Sequence, residues 1–204
     1  MIRRPPGFTL VEVVIALTIV ATLLVVAFAG LRAGLAAWER GEERAQALER
    51  SRSVNQLITR TLGGAFPYQA AARGREPARL LFEGAPDRLA FATTTSLFPS
   101  VVPMAFTAVT LRVSGSPAAG LALTQKALPN DDPFDETLAP AFVDGAVTAV
   151  RFRYRKGAEG EWTDRWDGSA EKVLPQSIEV TLTLLQGGRS VEQPPLVVSV
   201  PVAG

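Results

Sequence analysis

Apolar positions are spread unevenly along this chain. Residues 13–31 carry no charge, and only Thr18 and Thr22 add a polar side chain to the run. At about 1.5 Å rise per residue, residues 8–31 make a helix of roughly 36 Å, enough to cross a ~30 Å hydrocarbon core. Beyond it the period stays helical while the composition changes. Leu31, Leu35, Trp38, Ala45, Leu48, Val54 or Asn55, Ile58 and Leu62 recur at helical spacing. Glu39, Arg40, Glu42, Glu43, Arg44, Glu49, Arg50 and Arg52 fill much of the remainder. This pattern predicts an amphipathic helix over 32–64 that covers a sheet, with Gly63-Gly64 ending it and Pro67 soon after. Gly30, Gly34 and Gly41 are weak points, each costing about 1 kcal/mol relative to alanine.

From Arg79 the period shifts toward two. Leu80-Leu81-Phe82 and residues 88–93 flank the turn Gly84-Ala85-Pro86-Asp87, which predicts a hairpin. Residues 109–113, 121–126, 146–155, 177–185 and 196–200 predict further strands, with Gly187-Gly188 and Pro194-Pro195 lying between the last two. The predicted fold class is α+β. One long N-terminal helix, a transmembrane half plus an amphipathic half, packs on a mostly antiparallel β-sheet head over 65–204.

Composition narrows the chemistry. The 204 residues include no Cys and no His. That removes imidazole relays, thiolate nucleophiles, zinc-thiolate and iron–sulfur centres, and disulfides. Residues 1–62 carry net charge +3 and residues 63–204 net −2, so neither has the basic excess of a nucleic-acid binder. No cofactor, catalytic constellation or nucleic-acid partner is expected.

The segment Asn130-Asp131-Asp132-Pro133-Phe134-Asp135-Glu136 concentrates hard oxygen ligands. It lacks the EF-hand spacing and its Gly, so it reads as a solvated acidic loop before a calcium site or a carboxylate pair. Phe152 and Tyr154 alternate with Arg151, Arg153 and Arg155, which places a core face opposite a solvated face, or an arginine row opposite an acidic partner. Trp162 and Trp166 read as packing anchors. Residues 97–106 are apolar but interrupted by Pro99 and Pro103, as a buried edge or a subunit-contact patch would be.

Three readings compete for the N-terminus. A cleaved signal peptide would use Ala27-Phe28-Ala29 ahead of Gly30, and a plain anchor needs only the apolar run. Neither gains from Glu12, a carboxylate at the edge of an apolar segment, where an ionisable group is costly. Gly7-Phe8-Thr9-Leu10-Val11-Glu12, following a short leader with Arg3 and Arg4, resembles the type IV prepilin cleavage and methylation motif. That resemblance implies a leader of residues 1–7, cleavage by a prepilin peptidase between Gly7 and Phe8, and N-methylation of Phe8. It also implies that Glu12 pairs with the Phe8 ammonium of a neighbouring subunit during assembly.

The C-terminal half extends the resemblance. Phe142-Val143-Asp144-Gly145 leads to Phe152-Arg153-Tyr154, then to Glu161-Trp162-Thr163-Asp164-Arg165-Trp166, then to Leu174-Pro175 and the strand Ser177-Ile178-Glu179-Val180-Thr181-Leu182. This succession is similar to minor pseudopilin J of the type II secretion system. The resemblance implies a pilin-like structural protein, not an enzyme, in the bacterial inner membrane as a single pass with a periplasmic head. It further implies a place at the pseudopilus tip beside the I and K pseudopilins and the major pseudopilin, where filament growth starts. A minor pilin of a type IV pilus or DNA-uptake machine shares the leader and stem. A signal-peptide-cleaved secreted binding domain beginning at Gly30 is the rival from another class.

Overall fold

The computed structural model describes residues 9–71, 78–95, 105–115 and 119–201. Its elements in chain order are α1 (Leu10–Gly63), β1 (Gln69–Ala70), β2 (Arg79–Leu80), β3 (Phe82–Gly84), β4 (Arg88–Thr93), β5 (Thr107–Ser114) and β6 (Gly120–Ala127). There follow β7 (Phe142–Asp144), β8 (Val147–Arg155), β9 (Trp166–Asp167), α2 (Gly168–Glu171), β10 (Ser177–Gln186), β11 (Arg189–Glu192) and β12 (Leu196–Ser199). The chain divides into two compact units, Met1–Glu49 and Arg50–Gly204.

The first unit is helix alone. Leu10–Trp38 has mean hydropathy 2.8 over its most apolar window, long and apolar enough to cross a membrane, and that window is entirely unburied. The two threonines in the run satisfy themselves. Thr18 Oγ1 donates to the Ile15 carbonyl and Thr22 Oγ1 to the Thr18 carbonyl, each at 2.8 Å. Hydroxyls turned back onto their own helix leave no polar group asking for water. The helical period of Leu35, Trp38 and Leu48 continues past the apolar window, yet these side chains are exposed, Trp38 by 74%. A lone helix has nothing in its own unit to bury them.

The second unit takes up the helix where its face becomes buried. Val54, Ile58 and Leu62, at i, i+4 and i+8, enter one core with Phe82, Phe91, Leu111, Phe152, Tyr154 and Ile178. Burial of the predicted amphipathic face is thus confined to its last turns. Thr61, fully buried, turns its hydroxyl to the Leu57 carbonyl at 2.7 Å, while its own carbonyl accepts from Thr93 Oγ1 at 3.4 Å. The helix stops at Gly63, and the Gly64 carbonyl accepts from Thr94 N–H at 2.9 Å.

Every strand pairing among the described residues is antiparallel. Among the described residues β1 and β2 pair by themselves, and the remaining strands form two larger sheets, one of which runs β7-β6-β5-β4-β3-β9. In the other, β10 is central, with β8 along one side and both β12 and β11 along the other. The predicted hairpin is β3–β4, with Phe82 opposite Phe91. The five further predicted strands correspond to β5, β6, β8, β10 and β12. Gly187-Gly188 does more than separate segments: at φ +54° and +77° it makes the two-residue turn of a hairpin, with Gln186 opposite Arg189.

The outer face of the six-stranded sheet is covered as well. Leu81, Ala90, Ala92 and Ala108 form a second small core with Phe134, reached by the loop that follows β6.

Candidate assembly site

Because α1 begins at Leu10, Thr9 stands at the N-cap and Glu12 at the third helical position. Their bonds are reciprocal. Glu12 Oε2 accepts from Thr9 N–H at 3.0 Å and from Thr9 Oγ1–H at 2.9 Å, and Glu12 N–H donates to Thr9 Oγ1 at 3.3 Å. This is a capping box, which satisfies backbone donors that a helix start leaves open. Thr-x-x-Glu was visible in the sequence, and gives Glu12 a role within its own chain that the prepilin comparison overlooks. Among the described residues only Oε2 of Glu12 has a partner. Gly7 and Phe8 lie outside the described residues.

On β8 the alternation resolves into core and surface. Phe152 and Tyr154 are fully buried, and Arg151 is exposed. Two of the three arginines are committed within the chain. Arg153 lies 3.3 Å from Glu179 and 3.7 Å from Asp164. Arg155 stacks over the Trp162 ring at 4.7 Å and donates to Ser177 Oγ at 3.5 Å. Trp166 is an anchor in the core, its Nε1–H donating to the Val173 carbonyl at 3.0 Å. The Tyr154 hydroxyl donates to the Ala85 carbonyl at 2.9 Å, and burial, with a smaller contribution from Asp87, pushes its phenol well above the usual range.

The acidic segment is tied down. Asp135 Oδ1 accepts from Thr137 Oγ1 at 2.7 Å and from Thr137 N–H at 2.9 Å; these bonds, with Lys126 beyond them, hold its carboxyl below the usual range. Lys126 Nζ reaches the Asp132 carbonyl at 2.7 Å and Asp135 at 3.5 Å. Arg88 and Arg112 meet Glu136 through its carboxylate at 3.3 Å and its carbonyl at 3.2 Å. Among the described residues no group of three or more acidic side chains is placed to hold a metal ion. Residues 97–104 lie outside the described residues; Phe106, just after them, packs on Phe66 at 4.8 Å and Tyr68 at 5.4 Å between ring centroids.

An exposed apolar helix at the N-terminus and an antiparallel β head built on its last turns define a pilin-like protein. Comparison with known proteins agrees. Residues 29–193 match the family model described as Type II secretion system (T2SS), protein J, and residues 2–28 match the prokaryotic N-terminal methylation motif. The chain is similar to Type II secretion system protein J of Xanthomonas campestris pv. campestris, 30% identical over 207 residues, covering 98% of this chain and 95% of the relative. It is 32% identical over 197 residues to the Klebsiella pneumoniae protein of the same name, covering 90% and 91%. A solved structure, the GspK-GspI-GspJ complex of the enterotoxigenic Escherichia coli type 2 secretion system, covers 76% of this chain and 98% of the matched one, with TM-score 0.48 and 18% identity. The chain belongs to the type II secretion system protein J family.

Proposed function

We propose that this pseudopilin is stored as a single-pass inner-membrane protein with its head in the periplasm, and is then withdrawn into the pseudopilus tip. Prepilin peptidase cuts between Gly7 and Phe8, removing leader 1–7, and Phe8 is methylated. The new ammonium of one subunit meets Glu12 of the next, so two charges that are costly in lipid neutralise each other only on assembly. Residues 8–31 serve as both membrane anchor and filament core, residues 32–64 as the stem, and residues 65–204 as the head that meets pseudopilins of the I and K types and the major pseudopilin. The role is structural, without catalysis.

One observation carries this reading. Among the described residues, a carboxylate with one oxygen unpartnered heads an apolar helix whose most apolar window, within Leu10–Trp38, is unburied. A helix of this kind needs a solvent of lipid or of other helices, and the carboxylate needs a cation. The test is Glu12→Ala in a strain lacking the native protein. Membrane insertion is expected to persist, while co-purification with the sibling pseudopilins and exoprotein secretion fall. Normal secretion together with normal co-purification in that variant would defeat the proposal.

A further inference from the structure

We infer that Arg32, with the side chains one and two turns before it, seats an anionic phospholipid of the periplasmic leaflet while the subunit is stored. The inference rests on the membrane reading above. Glu12 and Arg32 bound an interval without charge, and twenty residues at about 1.5 Å each is roughly 30 Å, the thickness of the hydrocarbon core. With Glu12 at the inner edge, Arg32 arrives at the outer one. Its side chain points back toward the N-terminus, as helical side chains do, and the guanidinium lies over the Phe28 ring at 5.1 Å from the centroid. That places the charge at the depth of Phe28, about 24 Å from Glu12 and still inside the apolar layer.

Among the described residues no carboxylate is within ion-pairing distance of this guanidinium, and the nearest acidic position after it in the sequence is Glu39. The ring beneath supplies a weak cation–π contact, and the outward N–H donors meet no acceptor among the described residues. A phosphate diester drawn down from the headgroup layer satisfies them in a fork-to-oxygen geometry that suits arginine. Leu24, Val25, Phe28, Ala29 and Arg32 line one shallow, largely apolar groove of about 500 Å³. Its apolar end takes an acyl chain and its Arg32 end the headgroup of the same lipid.

The full chain is reconstituted in nanodiscs of phosphatidylcholine containing a minor fraction of phosphatidylglycerol, then released into native mass spectrometry. The expected wild-type spectrum shows one retained phosphatidylglycerol. Arg32→Gln lowers the retained fraction about tenfold, the loss expected for charge-assisted hydrogen bonds. Arg32→Lys, which keeps the charge but loses the fork and the planar stack, retains an intermediate fraction, and Arg40→Gln, about 12 Å further along the helix, leaves it unchanged. Equal retention in wild type and Arg32→Gln overturns the inference. So does equal loss in Arg40→Gln, which would mean diffuse charge attraction, or an Arg32-dependent protein dimer in place of the lipid adduct. Failure of the chain to enter nanodiscs would instead overturn the membrane reading itself.

Discussion

Replacing Gly84 by alanine tests how the head is locked. Gly84 lies in β3, opposite Leu89 on one side and Trp166 on the other, directly beneath the Tyr154 ring. A Cβ built there overlaps Tyr154 Cζ and comes within 2.8 Å of both Cε1 and Cε2. The ring has nowhere to go. Tyr154 is fully buried, stands edge-on to Phe82 at 6.1 Å and 88°, and is pinned by its hydroxyl to the Ala85 carbonyl at 2.9 Å. Relief means either straining β3 or expelling the ring and breaking that bond. Overpacking costs about 1–3 kcal/mol and a lost buried hydrogen bond about 1 kcal/mol, so the expected destabilisation is about 2–4 kcal/mol. With a urea slope of about 2 kcal/mol/M, the midpoint of the detergent-solubilised chain moves down by about 1–2 M in near-UV circular dichroism. In a Tyr154→Leu background the same glycine substitution should cost at least 1 kcal/mol less, since the group it strikes is gone, by an order-of-magnitude coupling estimate. A midpoint within about 0.3 M of wild type for Gly84→Ala, or full additivity with Tyr154→Leu, would refute the reasoning.

Three further outcomes follow from the same contacts. Tyr154 is held neutral, so its folded pKa lies above its unfolded value near 10.0. Stability is therefore full below pH 10 and lost as pH rises beyond it, and Tyr154→Phe should flatten this alkaline limb in a pH series of urea midpoints. Thr9→Ala deletes the two bonds made by the Thr9 hydroxyl, leaving the one from its N–H to Glu12, at a cost of about 1 kcal/mol, and amide exchange of residues 10–13 in micelles should speed up while the head is unchanged. Calcium titration by calorimetry should give no heat at millimolar concentrations, because Lys126 and Thr137 already occupy Asp135; saturable binding abolished by Asp135→Asn would contradict this.

What the sequence reveals tracks how local each signal is. The apolar run, the Gly63 stop and the β3–β4 hairpin rest on neighbours within a few positions, and all were legible. The strand β11 was not, because Gly187-Gly188 reads as a gap until its positive φ values show a tight turn. The acidic loop reads as solvated from its charges alone. Its placement depends on Phe134 filling the second core and on Lys126, Arg88 and Arg112 arriving from other strands. Strand order and the Gly84–Tyr154 contact join positions about seventy residues apart, a distance at which period and composition carry no information. The alternation on β8 identified the core face, but only the fold shows that Arg153 and Arg155 are already engaged and Arg151 stands out from the row. At the N-terminus the Thr9-x-x-Glu12 spacing was present in the sequence, but the reading of Glu12 as an assembly residue passed over it, and the bonds show that Thr9 holds it first.

The central claim is that this chain is made as a prepilin and becomes a filament subunit. Its most direct test is the intact mass of the protein co-expressed with a prepilin peptidase. The expected product begins at N-methylated Phe8, with Glu12 retained at the head of the helix. A product beginning at Gly30 would remove Glu12 and the apolar helix together, and would contradict the account.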